Sequence, residues 1–260
     1  MSRSPLILLT LVASAGSLLS GCPTESTDPS ELACGSEEAV VQFTTDDAVE
    51  LVADYRPAAT PNQGAVVFVH MVPPANDRST WPASVRDATT ALDLNVLVID
   101  RRGAGDSGGD PVDAYEGEGG RLDVEAAMRF LTSPDLACPV AASAIALVGA
   151  SNGTTSVLDY TVGHDPALPA PEALVWMSPG GYTENQNRIS QNLDVLASVP
   201  LLWLFPTNED YAEAYEDDGQ AAWRFVQQGE AHGTRMFDGG ALEDSTIAEL
   251  TGWFDRWLVL

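Results

Sequence analysis

Positive charge is scarce in this chain. Twelve Lys and Arg stand against 38 Asp and Glu, a formal net charge of −26. A nucleic-acid partner needs a basic face, so that class is excluded. Charge-driven adhesion to an anionic membrane surface is disfavoured for the same reason. The acids are spread along the chain rather than blocked, which is the pattern of a solvated surface. Cysteine and histidine are also rare, three of each, and none fall at a metal-binding spacing. Long apolar runs are missing: the best, residues 6–19, is too short and too rich in Ser and Gly for a convincing membrane span. There is no internal repeat and no low-complexity segment beyond residues 23–38. Apolar content is ordinary, and 260 residues allow one domain with an ample core plus appendages.

The appendages come first. Arg3 followed by the apolar stretch 6–19 has the layout of an export signal. It ends Leu19-Ser20-Gly21-Cys22, which resembles the bacterial lipobox. That resemblance implies a signal peptide over 1–21, cleavage before Cys22, and lipid on its thiol. The domain is then expected outside the cytoplasm, anchored to a bacterial membrane. Residues 22–38, dominated by Thr, Ser, Pro, Asp and Glu, cannot bury a core and read as a polar tether. In an oxidising compartment the two other cysteines, Cys34 and Cys138, are expected to form a disulfide.

Residues 39–260 alternate between strand and helix patterns. Strands are expected at 39–44 and 48–55, then at the buried β-branched runs 64–70 (GAVVFVH) and 95–100 (NVLVID). Further strands are expected at 145–148, 173–177, 200–205 and 234–237. Helices are expected at 81–92, 121–131, after residue 153, at 188–197, 220–228 and 245–258. This predicts an α/β fold: a mostly parallel sheet, helices on both faces, an antiparallel edge from the first strands.

Chemistry concentrates at residues 144–160, AIALVGASNGTTSVLDY. Strand, Gly-x-Ser-x-Gly, helix is the pattern of a nucleophile elbow centred on Ser151. The turn brings the residues two before and two after the serine into close approach, so Gly149 and Gly153 belong there. The helix that follows aims its first amides at developing negative charge. A serine needs a base. His164 ends the elbow's own helix, at the wrong edge of the sheet, and suits a helix C-terminus. His70 lies at the right edge but ahead of the serine. His232, in a small-residue loop near the chain's end, is the best base. Glu209 and Asp210 follow the strand at 200–205 and are both candidate acids; Asp100 is a minor competitor. The oxyanion amides are expected from Asn152 and from the loop after residue 70, at Met71 or Val72. Trp81, Trp176, Tyr182 and Trp203 are candidates to line an acyl pocket, although Trp176 and Trp203 sit within strands and suit the core.

Taken together, VVFVH with its proline-containing loop, VLVIDRRGAGDSGG, DVEAAMRFL running on to IALVGASNG, and the NED and GEAHGTRMF segments resemble the α/β-hydrolase superfamily. The resemblance covers nearly everything after the tether. It implies an α/β-hydrolase fold with Ser151 as nucleophile, His232 as base and Asp210, in preference to Glu209, as acid. It implies no cofactor and no metal. Met71 departs from the glycine usual in the oxyanion loop, and the stretch from 177 to 201 is too short for a cap domain. The expected activity is a serine hydrolase acting on carboxylic esters, thioesters or small amides, as in small dienelactone-hydrolase-like esterases. The alternative is a catalytically silent α/β-hydrolase-fold lipoprotein that binds a ligand or partner. A generic two-lobed binding lipoprotein would want a longer chain.

Overall fold

A computed structural model describes residues 26–182, 186–215 and 220–259. The signal segment and Cys22 lie outside the described residues. Eight strands form one sheet in the order β1-β2-β4-β3-β5-β6-β7-β8. They are β1 (Ala39–Thr44), β2 (Glu50–Arg56), β3 (Gln63–Val69), β4 (Asn95–Ile99), β5 (Val140–Ala150), β6 (Ala173–Met177), β7 (Leu201–Phe205) and β8 (Trp223–Gln227). β1 and β2 pair antiparallel, as do β2 and β4; every other pairing is parallel.

The central strands are buried on both sides, as continuous apolar runs require. Alternate residues feed two separate cores. Val67, Val69, Leu97, Ile99 and Leu147 share one face with side chains of α2 (Gly119–Leu131) and α3 (Gly153–Gly163). Val66, Phe68, Val96, Val98 and Val148 face α1 (Ala83–Thr90) and α5 (Gly240–Leu258). Each fully buried side chain of this kind contributes roughly 1.5–3 kcal/mol of transfer free energy.

Three expected elements differ. Residues 220–228 contain strand β8 rather than a helix. Trp223 and Phe225 lie 5.7 and 5.1 Å, centroid to centroid, from Trp203 on β7, and this aromatic pairing draws the segment onto the sheet edge. Residues Gly233–Phe237 form a 3₁₀ turn rather than a strand. Gly233 turns the chain at φ +56°, and Phe237 packs 5.8 Å from Trp81 on the α1/α5 face. The helix expected at 188–197 is a 3₁₀ turn, Ile189–Gln191, and a single α-helical turn, α4 (Leu193–Leu196), separated by Asn192 at φ −130°. Among the described residues between β6 and β7 no cap domain is built.

The polar segment at 22–38 is not a free tether where it is described. Thr27 donates its N–H to Val40 O at 2.8 Å, Leu32 joins the core, and Gly35 donates to Ala58 O at 2.7 Å. Cys34 and Cys138 form a disulfide across 104 residues of chain. Leu32 supplies apolar burial that the surrounding composition hid.

Candidate active site

Ser151 stands at the tip of β5 with φ +50°, a left-handed backbone that a non-glycine residue adopts only under constraint. Its N–H is tied to Met177 O at 2.8 Å. The two glycines are required by contact. A Cβ on Gly149 would sit 2.7 Å from Thr154 N and Cα; one on Gly153 would sit 2.5 Å from the carbonyl oxygens of Val69 and His70. The end of β3 and the start of α3 therefore touch backbone to backbone.

The Ser151 hydroxyl lies 2.7 Å from His232 Nε2, and His232 Nδ1 lies 2.5 Å from Glu209 Oε1. An ionised carboxylate only accepts, so Nδ1 carries the proton and Nε2 is left as the base. This corrects the choice of Asp210. A turn after β7, closed by Glu209 N–H to Pro206 O at 3.1 Å, directs residue 209 at the histidine and leaves Asp210 exposed. Asp100 is committed elsewhere: fully buried, it accepts from Arg78 N and Nη1 and from Asp106 N. His164 caps α3 through Tyr160 O at 2.9 Å and stacks on Tyr160.

His70 is buried and neutral. Its Nδ1–H donates to Met71 O at 2.7 Å, while Nε2 accepts from Arg101 N–H at 2.9 Å. Burial, then the neighbouring Arg101 charge, lowers its pKa to about 3. Among the described residues the N–H groups of Met71, Val72 and Asn152 donate to no protein acceptor. They are free to serve a ligand oxygen, beside the N-terminus of α3.

Two contributors escaped the sequence. Ser178 follows β6 at φ +51°, buried, and its Oγ accepts from Gly233 N at 2.9 Å, holding the residue after His232. Arg101 is wholly buried, against the carbonyls of His70 and Met71. No sequence signal marks Ser178; for Arg101 the only sign is a charged residue at the exit of a buried strand. Tyr182, one of the four aromatic candidates, lies edge-on to His232 with centroids 6.4 Å apart. Its hydroxyl donates to Ser178 O and reaches Ser151, and burial pushes its pKa up to about 12. A narrow cleft beside the serine is lined by Thr154, Thr155, Trp176, Tyr182 and Tyr211. Trp81 and Trp203 are core residues, packed on Phe68 and Phe225.

This sheet order, with a serine at the β5 elbow, is the α/β-hydrolase fold. An esterase from Pyrococcus furiosus superposes with TM-score 0.65 at 18% identity, over 90% of this chain and 98% of that one. Dienelactone hydrolase from Anabaena variabilis gives 0.64 at 18%, over 85% and 98%. An α/β hydrolase from a Penicillium species gives 0.67 at 13%, over 86% and 100%. At these identities the likeness is one of fold. No protein-family model matches the chain, and no curated protein matches it.

Proposed function

We propose that the protein is a serine hydrolase of carboxylic esters, with thioesters and small amides as further substrates. The observation that carries the reading is the unbroken chain Ser151 Oγ, His232, Glu209, with contacts of 2.7 and 2.5 Å. His232 Nε2 takes the Ser151 proton as Oγ attacks the acyl carbon. The oxyanion is received by Asn152 N–H and an N–H of the Met71–Val72 loop. Collapse expels the alkoxide, which takes the proton from Nε2, and leaves an acyl-enzyme. Water then gives its proton to His232 and attacks the acyl carbon; the acid departs and Ser151 regains its proton. Glu209 stays ionised and stabilises the imidazolium.

A fluorophosphonate probe tests this on the purified protein. Labelling of wild type and none of Ser151→Ala is expected. No labelling, or labelling that survives the substitution, sinks the reading.

The same reading puts the domain outside the cytoplasm, lipid-anchored through Cys22. The Cys34–Cys138 disulfide supports export, since such bonds persist in oxidising compartments. Metabolic labelling with palmitate should mark the wild-type protein and not Cys22→Ser; equal labelling would refute the anchor.

A further inference from the structure

Arg101 is a full charge in an unusual place. The chain contains no lysine, so all twelve basic residues are arginines. Seven of those described form ion pairs. Arg101, although surrounded by protein, bonds no carboxylate. Its nearest acids are already engaged: Asp123 by Arg102 and Asp159 by Asn187. Burial lowers its pKa to about 10, so it remains a cation at neutral pH. A desolvated, unpaired cation is costly to fold around.

Its partners are neutral, and three of them, His70, Met71 and Asn152, belong to the two halves of the proposed oxyanion site. Nη1 donates to Asn152 Oδ1 at 2.9 Å, and makes longer contacts with Met71 O at 3.3 Å and His70 O at 3.4 Å. Nη2 donates to Ser156 Oγ at 2.8 Å and to Ala114 O. A trans peptide is planar, with C=O and N–H pointing in opposite directions. The carbonyl of His70 and the N–H of Met71 are two ends of one such plane. The carbonyl of Met71 and the N–H of Val72 are two ends of the next. A guanidinium on both carbonyls sets the direction of both candidate N–H donors from behind. A cation at the carbonyl end also polarises each amide, strengthening the donor at its other end. Through Asn152 Oδ1 the same nitrogen holds the residue that supplies the remaining donor.

We propose that Arg101 is a positioning residue of the oxyanion hole, orienting the Met71 and Val72 amides by their carbonyl ends and the Asn152 amide through its side chain. The proposal rests on Ser151 being the acylated nucleophile.

The test uses the full-length protein with Arg101→Met, Arg101→Lys and Asn152→Ala, the last keeping its backbone N–H. Turnover is measured on p-nitrophenyl acetate. Affinity is measured for a trifluoromethyl ketone, which forms an oxyanion on Ser151, and for the matching methyl ketone, which does not. Arg101→Met should lower kcat about 100-fold with KM within about threefold, the order of effect of losing one oxyanion donor. The trifluoromethyl ketone should weaken by a similar factor and the methyl ketone hardly at all. Arg101→Lys should recover part of the loss, and Asn152→Ala should lower kcat about tenfold. A merely structural role would lower the melting temperature and weaken both ketones equally, and that result overturns the proposal. If Arg101→Met does not fold, an unchanged kcat in Asn152→Ala overturns it instead. Failure of the wild type to react with a fluorophosphonate would be a failure of the nucleophile reading, and the Arg101 assignment would fall with it.

Discussion

Replacing Glu209 by Gln removes one charge and almost no volume, so it isolates what the carboxylate does for His232. In the transition state the imidazole becomes a cation beside that carboxylate. With charge centres roughly 4 Å apart, the attraction is about 4 kcal/mol at an effective dielectric near 20 and about 1 kcal/mol in water. The side chains of His232 and Glu209 are 36% and 28% exposed, so the electrostatic share lies between these limits. That is a factor of about 5 to 10³ in rate. Gln can also present its amide N–H to Nδ1, which moves the ring proton to Nε2 and abolishes the base; this tautomeric effect carries the total towards about 10⁴. Asp210→Asn, which touches neither group, should stay within about threefold. The assay is steady-state hydrolysis of p-nitrophenyl acetate, with thermal unfolding to confirm that both variants fold. A loss under tenfold for Glu209→Gln, or equal losses in the two variants, would refute Glu209 as the acid.

Other outcomes follow from the packing. Gly153→Ala places a methyl 2.5 Å from two carbonyl oxygens, and should yield little folded protein and no fluorophosphonate labelling. Cys34→Ala with Cys138→Ala opens a 104-residue loop; the loss should approach roughly 4–5 kcal/mol and lower the melting temperature by about 10 °C or more. His70 is held neutral with a pKa of about 3, below the unfolded value near 6.5. The unfolded chain therefore binds more protons between those values. The His70 contribution is intact above pH 6.5 and is lost as pH falls towards 3, with a slope of up to about 1.4 kcal/mol per unit. Denaturant titrations of wild type and His70→Gln should diverge over that window; parallel curves would refute it.

What could be read from the sequence was what local pattern dictates. β3, β4, β6 and β7 are uninterrupted apolar runs because both faces are covered, and their bounds fall within a residue or so of those expected. The elbow was legible because two glycines are sterically necessary around Ser151. β8 was not, because Trp-Arg-Phe-Val-Gln is half-exposed and owes its conformation to Trp203, far away in sequence. Asp210 was preferred over Glu209 because nothing local in the sequence shows that one turn at Pro206 turns residue 209, not 210, towards His232. Arg101 and Arg102 are indistinguishable as letters. One is drawn inward by neutral carbonyls and the other by Asp47 and Asp123.

The docked N-terminal segment has a consequence for where the proposed hydrolase would work. From Cys22 to Ser26, whose hydroxyl already bonds Gln42 at 3.1 Å, there are four Cα-to-Cα steps. At most about 3.6 Å each, they span roughly 14 Å. Under the proposed anchoring, this allows the domain no long excursion from the bilayer: the β1 edge is leashed within about half a membrane thickness of the lipid headgroups. With a net charge of −26, the rest of the surface would be repelled by anionic lipid. Ser151, four strands in from that edge, would then sample substrates from the water layer next to the membrane, with its local concentration set by the two-dimensional density of anchors.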